Sequence, residues 1–325
     1  MKFASLDLPY VDKKFFSAIK RLPEISSIFI PKDNPSTWLE AVERGKNAEL
    51  LTVDIPLKVD RKLIDALPHA QAIFCQAVGF DNIDVAYARK KGVKVYNCAG
   101  FNANAVAEFV FALITSLFRH IPAAQAHVRA GGWSYRHFVG RELYGKTIGI
   151  VGSGNIAQRI ASIARGYGLE VLAHTKHPTK EKQQKMGVDG FITLEKLLAR
   201  SHILVLAVPL TMETRHLIGK EELQQMRDDA ILVNTARNTV VDEYALAEVI
   251  LEGKIAGAVL DVLLEEPFYS KEASLQIQEM IRLPNVIVTP HIAGISRESS
   301  ETLGKIFVDN VKNFLKGSDT NCINV

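Results

Sequence analysis

The sequence predicts an α/β protein built from two wound parallel sheets, and three observations carry that expectation. From Lys2 onward, short apolar runs alternate with longer helix-period segments. Six nearly all-aliphatic runs recur between residues 147 and 289. A Gly-x-Gly-x-x-Ala turn follows the first of those six.

In the first unit the expected strands are Phe3 to Leu6, Ser27 to Ile30, Leu50 to Val53, Ala72 to Cys75 and Val93 to Tyr96. The segments between them, Lys13 to Arg21, Thr37 to Arg44, Arg61 to Leu67 and Val85 to Lys91, carry helical spacing and read as crossovers. Gly100 breaks the pattern. A long helix from about Asn104 then leads through Gly131-Gly132 into the second series, with strands at Thr147 to Val151, Glu170 to Ala173, Ile203 to Val208, Ile231 to Asn234, Gly257 to Asp261 and Val286 to Thr289. Their Val, Ile, Leu and Ala content fits parallel strands covered by helices on both faces, and six such strands match a dinucleotide-binding domain in count. A last helix, Glu298 to Leu315, is expected to fold back on the first unit and make it discontinuous.

The bulk numbers narrow the function. At 325 residues, 47% hydrophobic and 23% charged, the chain is in the globular range, with length for two domains. Its net charge of +3 is spread without long blocks of one sign, which disfavours nucleic acid as a partner. Cys75, Cys98 and Cys322 show no CxxC spacing and read as reduced thiols. The N-terminal Met1 to Tyr10, with Asp7 and Pro9, lacks the layout of a signal peptide. The longest apolar run, Ala105 to Phe118, contains Glu108 and is shorter than the roughly 20 residues that span a bilayer. A soluble, cytoplasmic protein with no membrane partner is expected.

The glycine turn, Gly152-Ser153-Gly154-Asn155-Ile156-Ala157, closes a buried strand and opens the expected helix Ile156 to Tyr167. Gly152 permits the tight turn, Gly154 lets backbone approach a pyrophosphate, and the N–H groups at the helix start attract phosphate charge. Ala157 takes the third position, where only a small side chain is needed. At the end of the next strand, Ala173-His174-Thr175-Lys176-His177 contains no carboxylate to accept the 2′-hydroxyl of an NAD ribose. Thr175 and Lys176 suit a 2′-phosphate instead, so NADP(H) is expected over NAD(H), with NAD(H) as the alternative.

Ligands in such sheets bind beyond the carboxyl ends of the strands. Three consecutive strand ends there carry Arg237, then Glu265-Glu266-Pro267, then Pro290-His291. Arg237 can grip a carboxylate bidentately and polarise the adjacent carbonyl. A histidine such as His291 can give a proton to a carbonyl oxygen and take it back. Glu266 beside it would favour the imidazolium and orient the ring. The trio fits reversible reduction of a 2-keto acid. No metal site is implied: His174 and His177 have no third ligand in view, and nicotinamide redox chemistry needs none.

Over nearly its whole length the chain resembles the D-isomer-specific 2-hydroxyacid dehydrogenase family. The resemblance is carried by Val78-Gly79-Phe80-Asp81-Asn82-Ile83-Asp84, Asn102 to Glu108 and Gly140 to Gly152, then by Val233-Asn234-Thr235-Ala236-Arg237, Leu260-Asp261-Val262, Glu265-Glu266-Pro267 and Thr289-Pro290-His291-Ile292-Ala293-Gly294. It implies a Rossmann cofactor domain at residues 100–294 and a flavodoxin-like substrate domain at residues 1–99 plus 295–325, with a cleft between them. It also implies catalytic Arg237, Glu266 and His291, and substrate-carboxylate binding by Val78 and Gly79 with Arg237 and His291. Cofactor contacts carry over to Gly152, Gly154, Asn155 and Ile156 at the pyrophosphate, Thr175 and Lys176 at the ribose, and Val208 and Pro209 beside the adenine. Thr235, Ala236, Asp261 and Gly294 carry over near the nicotinamide. A homodimer with the helix after Asn104 in its interface is implied as well.

Three departures from the family pattern stand out. Thr175-Lys176 replaces the usual acidic residue, which resembles the glyoxylate and hydroxypyruvate reductase branch; Asn238 follows the arginine where glycine is common; and the segment from Pro267 to Asn285 is long, with a helical stretch, Ala273 to Ile281, that would reshape the substrate mouth. Alternatives at this stage are an NAD-dependent relative acting on 3-phosphoglycerate, D-lactate or phosphite, and a non-catalytic dinucleotide-sensing corepressor.

Overall fold

The computed structural model describes residues 1–263 and 275–325. They divide into two compact units, Met1–Asn102 with Ser296–Val325, and Ala103–Ile295.

The first unit holds β1 (Lys2–Ser5), α1 (Lys13–Lys20), β2 (Ser27–Phe29), α2 (Trp38–Gly45), β3 (Leu50–Val53), α3 (Arg61–Asp65), β4 (Ala72–Cys75), α4 (Val85–Lys90) and β5 (Lys94–Tyr96). Each helix starts where a short polar side chain accepts a bond from an otherwise orphaned N–H: Asp12, Thr37, Asp60 and Asp84. All pairings are parallel and the order is β2-β1-β3-β4-β5, the flavodoxin-like winding. The C-terminal helix Arg297–Leu315 packs on this unit through Phe307, whose ring meets Phe3, Phe16 and Phe74 edge-on at centroid distances of 6.1, 5.4 and 6.4 Å. Gly304 lets it approach α1: a Cβ there would lie 2.1 Å from the Phe15 ring.

The second unit holds α5 (Ala103–Phe118), α6 (Ile121–Arg129), β6 (Thr147–Val151), α7 (Asn155–Gly166), β7 (Glu170–His174), α8 (Lys180–Met186), β8 (Gly190–Phe191), α9 (Leu194–Arg200), β9 (Ile203–Leu206), α10 (Lys220–Gln225), β10 (Ile231–Asn234), α11 (Glu243–Leu251), β11 (Gly257–Leu260), α12 (Leu275–Met280) and β12 (Val286–Val288). Its sheet runs β12-β11-β10-β9-β6-β7-β8, all parallel. The direction of winding reverses at β6, between β7 and β9, and this is the Rossmann arrangement. Strands β6, β9, β10 and β11 are wholly buried, as their aliphatic composition requires.

Two expectations are corrected. The sheet has a seventh strand, β8, because two residues at a sheet edge are too short to show a periodicity. The helix after Asn102 does not run on to Gly131: it stops at Phe118, His120 takes φ 53°, and α6 restarts with Pro122 in its first turn. Proline lacks the N–H that would bond back to Phe118 and its ring would clash with that carbonyl. Of the expected helical stretch Ala273 to Ile281, residues 273 and 274 lie outside the described residues. Among the described residues no single helix is long and apolar enough to cross a membrane.

Candidate active site

At the reversal point, β6 runs directly into the glycine turn. Gly152 has φ 123°, and a Cβ on it would lie 2.4 Å from the Ala207 carbonyl oxygen and 3.3 Å from Val208 Cγ1. No other residue fits there. Gly154, the N-cap of α7, differs: its φ is −75° and a Cβ would meet nothing within 4 Å. The fold does not demand glycine at 154, where a side chain would enter open space. No side chain caps α7, whose first N–H groups stand beside an exposed Asn155 and a half-buried Ile156, while Ala157 is fully buried against the sheet. A backbone cradle with free helix-start donors and open space over Gly154 suits a pyrophosphate.

Thr175 and Lys176 follow β7. Thr175 Oγ1 lies 3.0 Å from Ser153 Oγ, which ties the end of β7 to the glycine turn. Lys176 Nζ donates to both carboxylate oxygens of Glu213, at 2.7 and 2.8 Å. Its ammonium holds the Glu213 carboxyl below the ordinary range. No carboxylate follows β7 in the chain, as expected; the one that meets Lys176, Glu213, comes from the loop after β9. Val208 and Pro209 begin that loop, Val208 half-buried and Pro209 exposed.

Arg237 and His291 follow β10 and β12, which lie on the other side of β6 from β7. Registered pairing puts Asn234 beside Leu260 and Leu260 beside Val288, so β10, β11 and β12 end level with one another. Arg237 and His291 each lie three residues beyond those ends and therefore share this edge. Buried Asn234 closes the first turn: its Oδ1 accepts from Ala236 N at 3.0 Å and its Nδ2 donates to Arg237 O at 2.9 Å. Thr235, Ala236 and Arg237 are half-buried there, and Arg237 Nη1 donates to Ala236 O at 2.9 Å. His291 takes φ 56°, a left-handed conformation that costs a non-glycine residue about 1–3 kcal/mol. Its N–H donates to Asp261 O at 2.9 Å, and the Asp261 carboxylate holds the residues on either side of it. Half-buried Gly294 closes the segment. Glu266 lies outside the described residues.

In the first unit, Val78 and Gly79 follow β4 and are half-buried. Their carbonyl oxygens are engaged, Val78 O by Asn97 Nδ2 at 2.7 Å and Gly79 O by Cys75 Sγ at 3.4 Å. Their N–H groups make no bond among the described residues, consistent with a role in gripping an anion.

Sequence reasoning missed Asn234 and Glu213. A polar residue ending an otherwise aliphatic strand was a usable signal for the first. For Glu213 no local signal exists.

Comparison with known proteins agrees with this geometry. The D-isomer specific 2-hydroxyacid dehydrogenase, NAD binding domain, matches residues 111–293. A glyoxylate reductase of Thermococcus litoralis is 38% identical over 306 residues, covering 92% of this chain and 89% of the relative. Among solved structures, an acyclic imino acid reductase in complex with NADPH and D-Arg superposes with a TM-score of 0.89 at 28% identity, covering 99% of this chain and 100% of the other. The D-lactate dehydrogenase of Aquifex aeolicus, complexed with NAD and lactic acid, gives 0.86 at 29% identity, covering 100% and 99%.

Proposed function

The chain belongs to the D-isomer specific 2-hydroxyacid dehydrogenases, nicotinamide-dependent oxidoreductases, and from that membership we propose that it reduces glyoxylate and similarly short 2-keto acids such as hydroxypyruvate, favouring NADP(H). The observation that carries the chemistry is the level ending of β10, β11 and β12, which brings Arg237 and His291 to one edge of the sheet. Glyoxylate is favoured by the 38% identity to a glyoxylate reductase. Thr175 and Lys176, standing after β7 where no acidic residue follows the strand, favour the 2′-phosphate.

We assign the substrate carboxylate to the Arg237 guanidinium, and to Val78 and Gly79 of the first unit we assign anion binding through their N–H groups. Arg237 also polarises the keto oxygen. His291 donates a proton to that oxygen as it becomes a hydroxyl, and accepts it back in the oxidative direction. Glu266 is assigned to orienting the imidazole. When bound, the reduced dinucleotide supplies the hydride to the keto carbon. The pyrophosphate role falls to Gly152, Gly154, Asn155 and Ile156, the adenosine end to Thr175, Lys176, Val208 and Pro209, and the nicotinamide end to Thr235, Ala236, Asp261 and Gly294.

We further propose a homodimer formed through α5 and the segment after it. No residue of α6 is buried, and Trp133, Tyr135, Val139 and Tyr144 are 89, 81, 78 and 80% exposed. So much aromatic and aliphatic surface in one stretch suits a protein partner. Cys75, Cys98 and Cys322 are all thiols, in keeping with a cytoplasmic setting.

The test is a panel of glyoxylate, hydroxypyruvate, pyruvate and longer 2-keto acids, assayed with NADPH and with NADH. The highest kcat/KM is expected for glyoxylate or hydroxypyruvate with NADPH. A preference for pyruvate or longer acids would replace the substrate assignment, and a preference for NADH the cofactor assignment. Light scattering of the wild type and of Trp133→Asp tests the dimer.

A further inference from the structure

The ribose end of the cofactor crevice carries a carboxylate that the sequence after β7 does not. We propose that Glu213, through its bidentate hold on Lys176, sets the balance between NADP(H) and NAD(H), withholding the lysine from a 2′-phosphate and offering an acceptor to a 2′-hydroxyl. This rests on the reading of the glycine turn as a dinucleotide site.

Position is the first argument. β7 and β9 flank β6 in the sheet, so the ends of β7 and β9 stand on either side of the glycine turn. Lys176 lies two residues beyond β7 and Glu213 seven beyond β9. Their ion pair therefore spans the strand ends where a dinucleotide is bound in this fold. Thr175, its hydroxyl held 3.0 Å from Ser153 Oγ, fixes the backbone next to Lys176.

The loop delivering Glu213 is built rather than loose. Thr211 N donates to Thr214 Oγ1 at 2.8 Å, Thr214 N returns a bond to Thr211 Oγ1 at 3.2 Å, and Thr214 Oγ1 donates to Pro209 O at 2.7 Å. The far end is anchored where His216 N donates to Thr239 O at 2.7 Å and Ile218 bridges to Val241.

Magnitude decides what the pair is for. Lys176 and Glu213 side chains are 65 and 69% exposed, and pairs so exposed contribute little to folding. The fold has no need of it, yet a 2′-phosphate of roughly −2 charge entering there meets a fixed like charge and a lysine already engaged. A ribose hydroxyl meets neither obstacle, because a carboxylate accepts its hydrogen bond.

The experiment measures kcat/KM and Kd for NADPH and NADH in the wild type, Glu213→Gln and Lys176→Gln. Glu213→Gln is expected to raise the NADPH-to-NADH ratio about tenfold, and Lys176→Gln to lower it by a similar factor. Thermal denaturation of both variants should follow the wild type, because the pair is exposed. An unchanged ratio in either variant, or a fall in Glu213→Gln, overturns the proposal. The wild-type ratio separately tests NADP(H) preference: an NADH-preferring wild type whose Glu213→Gln variant moves towards NADPH and whose Lys176→Gln variant moves away would retract that preference and keep this inference.

Discussion

The Asp261 carboxylate holds the turn that carries His291. Oδ1 accepts from Thr289 Oγ1 at 2.5 Å and from Ile292 N at 2.9 Å, Oδ2 accepts from Ala293 N at 2.7 Å, and the Asp261 carbonyl accepts from His291 N at 2.9 Å. Every donor around this buried side chain points at an acceptor, and the left-handed backbone of His291 is sustained by that arrangement.

Asp261→Asn puts an NH2 group where a donor already points. The side chain then loses one or two bonds, each worth about 1–3 kcal/mol when its partner stays buried. A Tm several degrees lower and a kcat reduced at least about tenfold are expected, with cofactor Kd less affected. A kcat equal to wild type would mean that the turn holds His291 without the carboxylate.

Gly152 and Gly154 should separate stability from binding. Gly152→Ala forces a Cβ to within 2.4 Å of a carbonyl oxygen at φ 123°, so a loss of several kcal/mol in urea unfolding or failure to fold is expected. Gly154→Ala meets open space at an ordinary φ, so stability should stay within about 0.5 kcal/mol while the Kd for the dinucleotide rises about tenfold or more. An unaltered Kd in Gly154→Ala would count against the pyrophosphate assignment.

For the reacting pair, His291→Ala should lower kcat by about 10²–10⁴-fold with cofactor Kd nearly intact, since a positioned proton donor is removed. Arg237→Lys keeps the charge but loses the planar fork, and kcat/KM for the keto acid should fall about 100-fold. Steady-state kinetics combined with fluorescence titration of NADPH distinguish the two signatures.

Asp7 should make the first unit less stable as pH rises. Burial, reinforced by the nearby Asp54 charge, raises its pKa from 3.8 to about 6 in the folded chain. The fold therefore favours the protonated carboxyl: that contribution is complete below pH 3.8 and is lost as pH climbs through 6. The difference corresponds to about 3 kcal/mol above pH 7. Asp7→Asn retains an oxygen to accept from Asp54 N and removes the charge. Urea unfolding should find the variant about 2–3 kcal/mol more stable at pH 8, with the gap closing towards pH 4. An equal gap at both pH values would show that the carboxyl does not titrate in this way.

Much of this was legible in the residues. Thr147 to Val151 and Ile231 to Asn234 were readable to the residue because parallel strands buried on both faces need unbroken aliphatic runs. The strand ends were less so: Ile203 to Val208 stops at Leu206, and although Ala207 N still bonds Val151 O, Ala207 and Val208 turn to line the glycine turn. β8 was hidden by its length and the stop at Phe118 by an apolar run that reads as continuous, although Pro122 was in plain sight.

What the sequence by itself determined is therefore the local chemistry: the alternation of strands and helices, the glycine turn, and the presence of Arg237 and His291 beyond strand ends. Tertiary structure alone decided which side chains meet there. Asp261 and His291 are thirty residues apart, and Lys176 and Glu213 are separated by 37. Such partners are chosen by strand order and register, which place the loops of β7 and β9 on either side of β6 and the loops of β11 and β12 side by side. Whether Glu213 reaches Lys176 depends on that order, and no spacing along the chain encodes it.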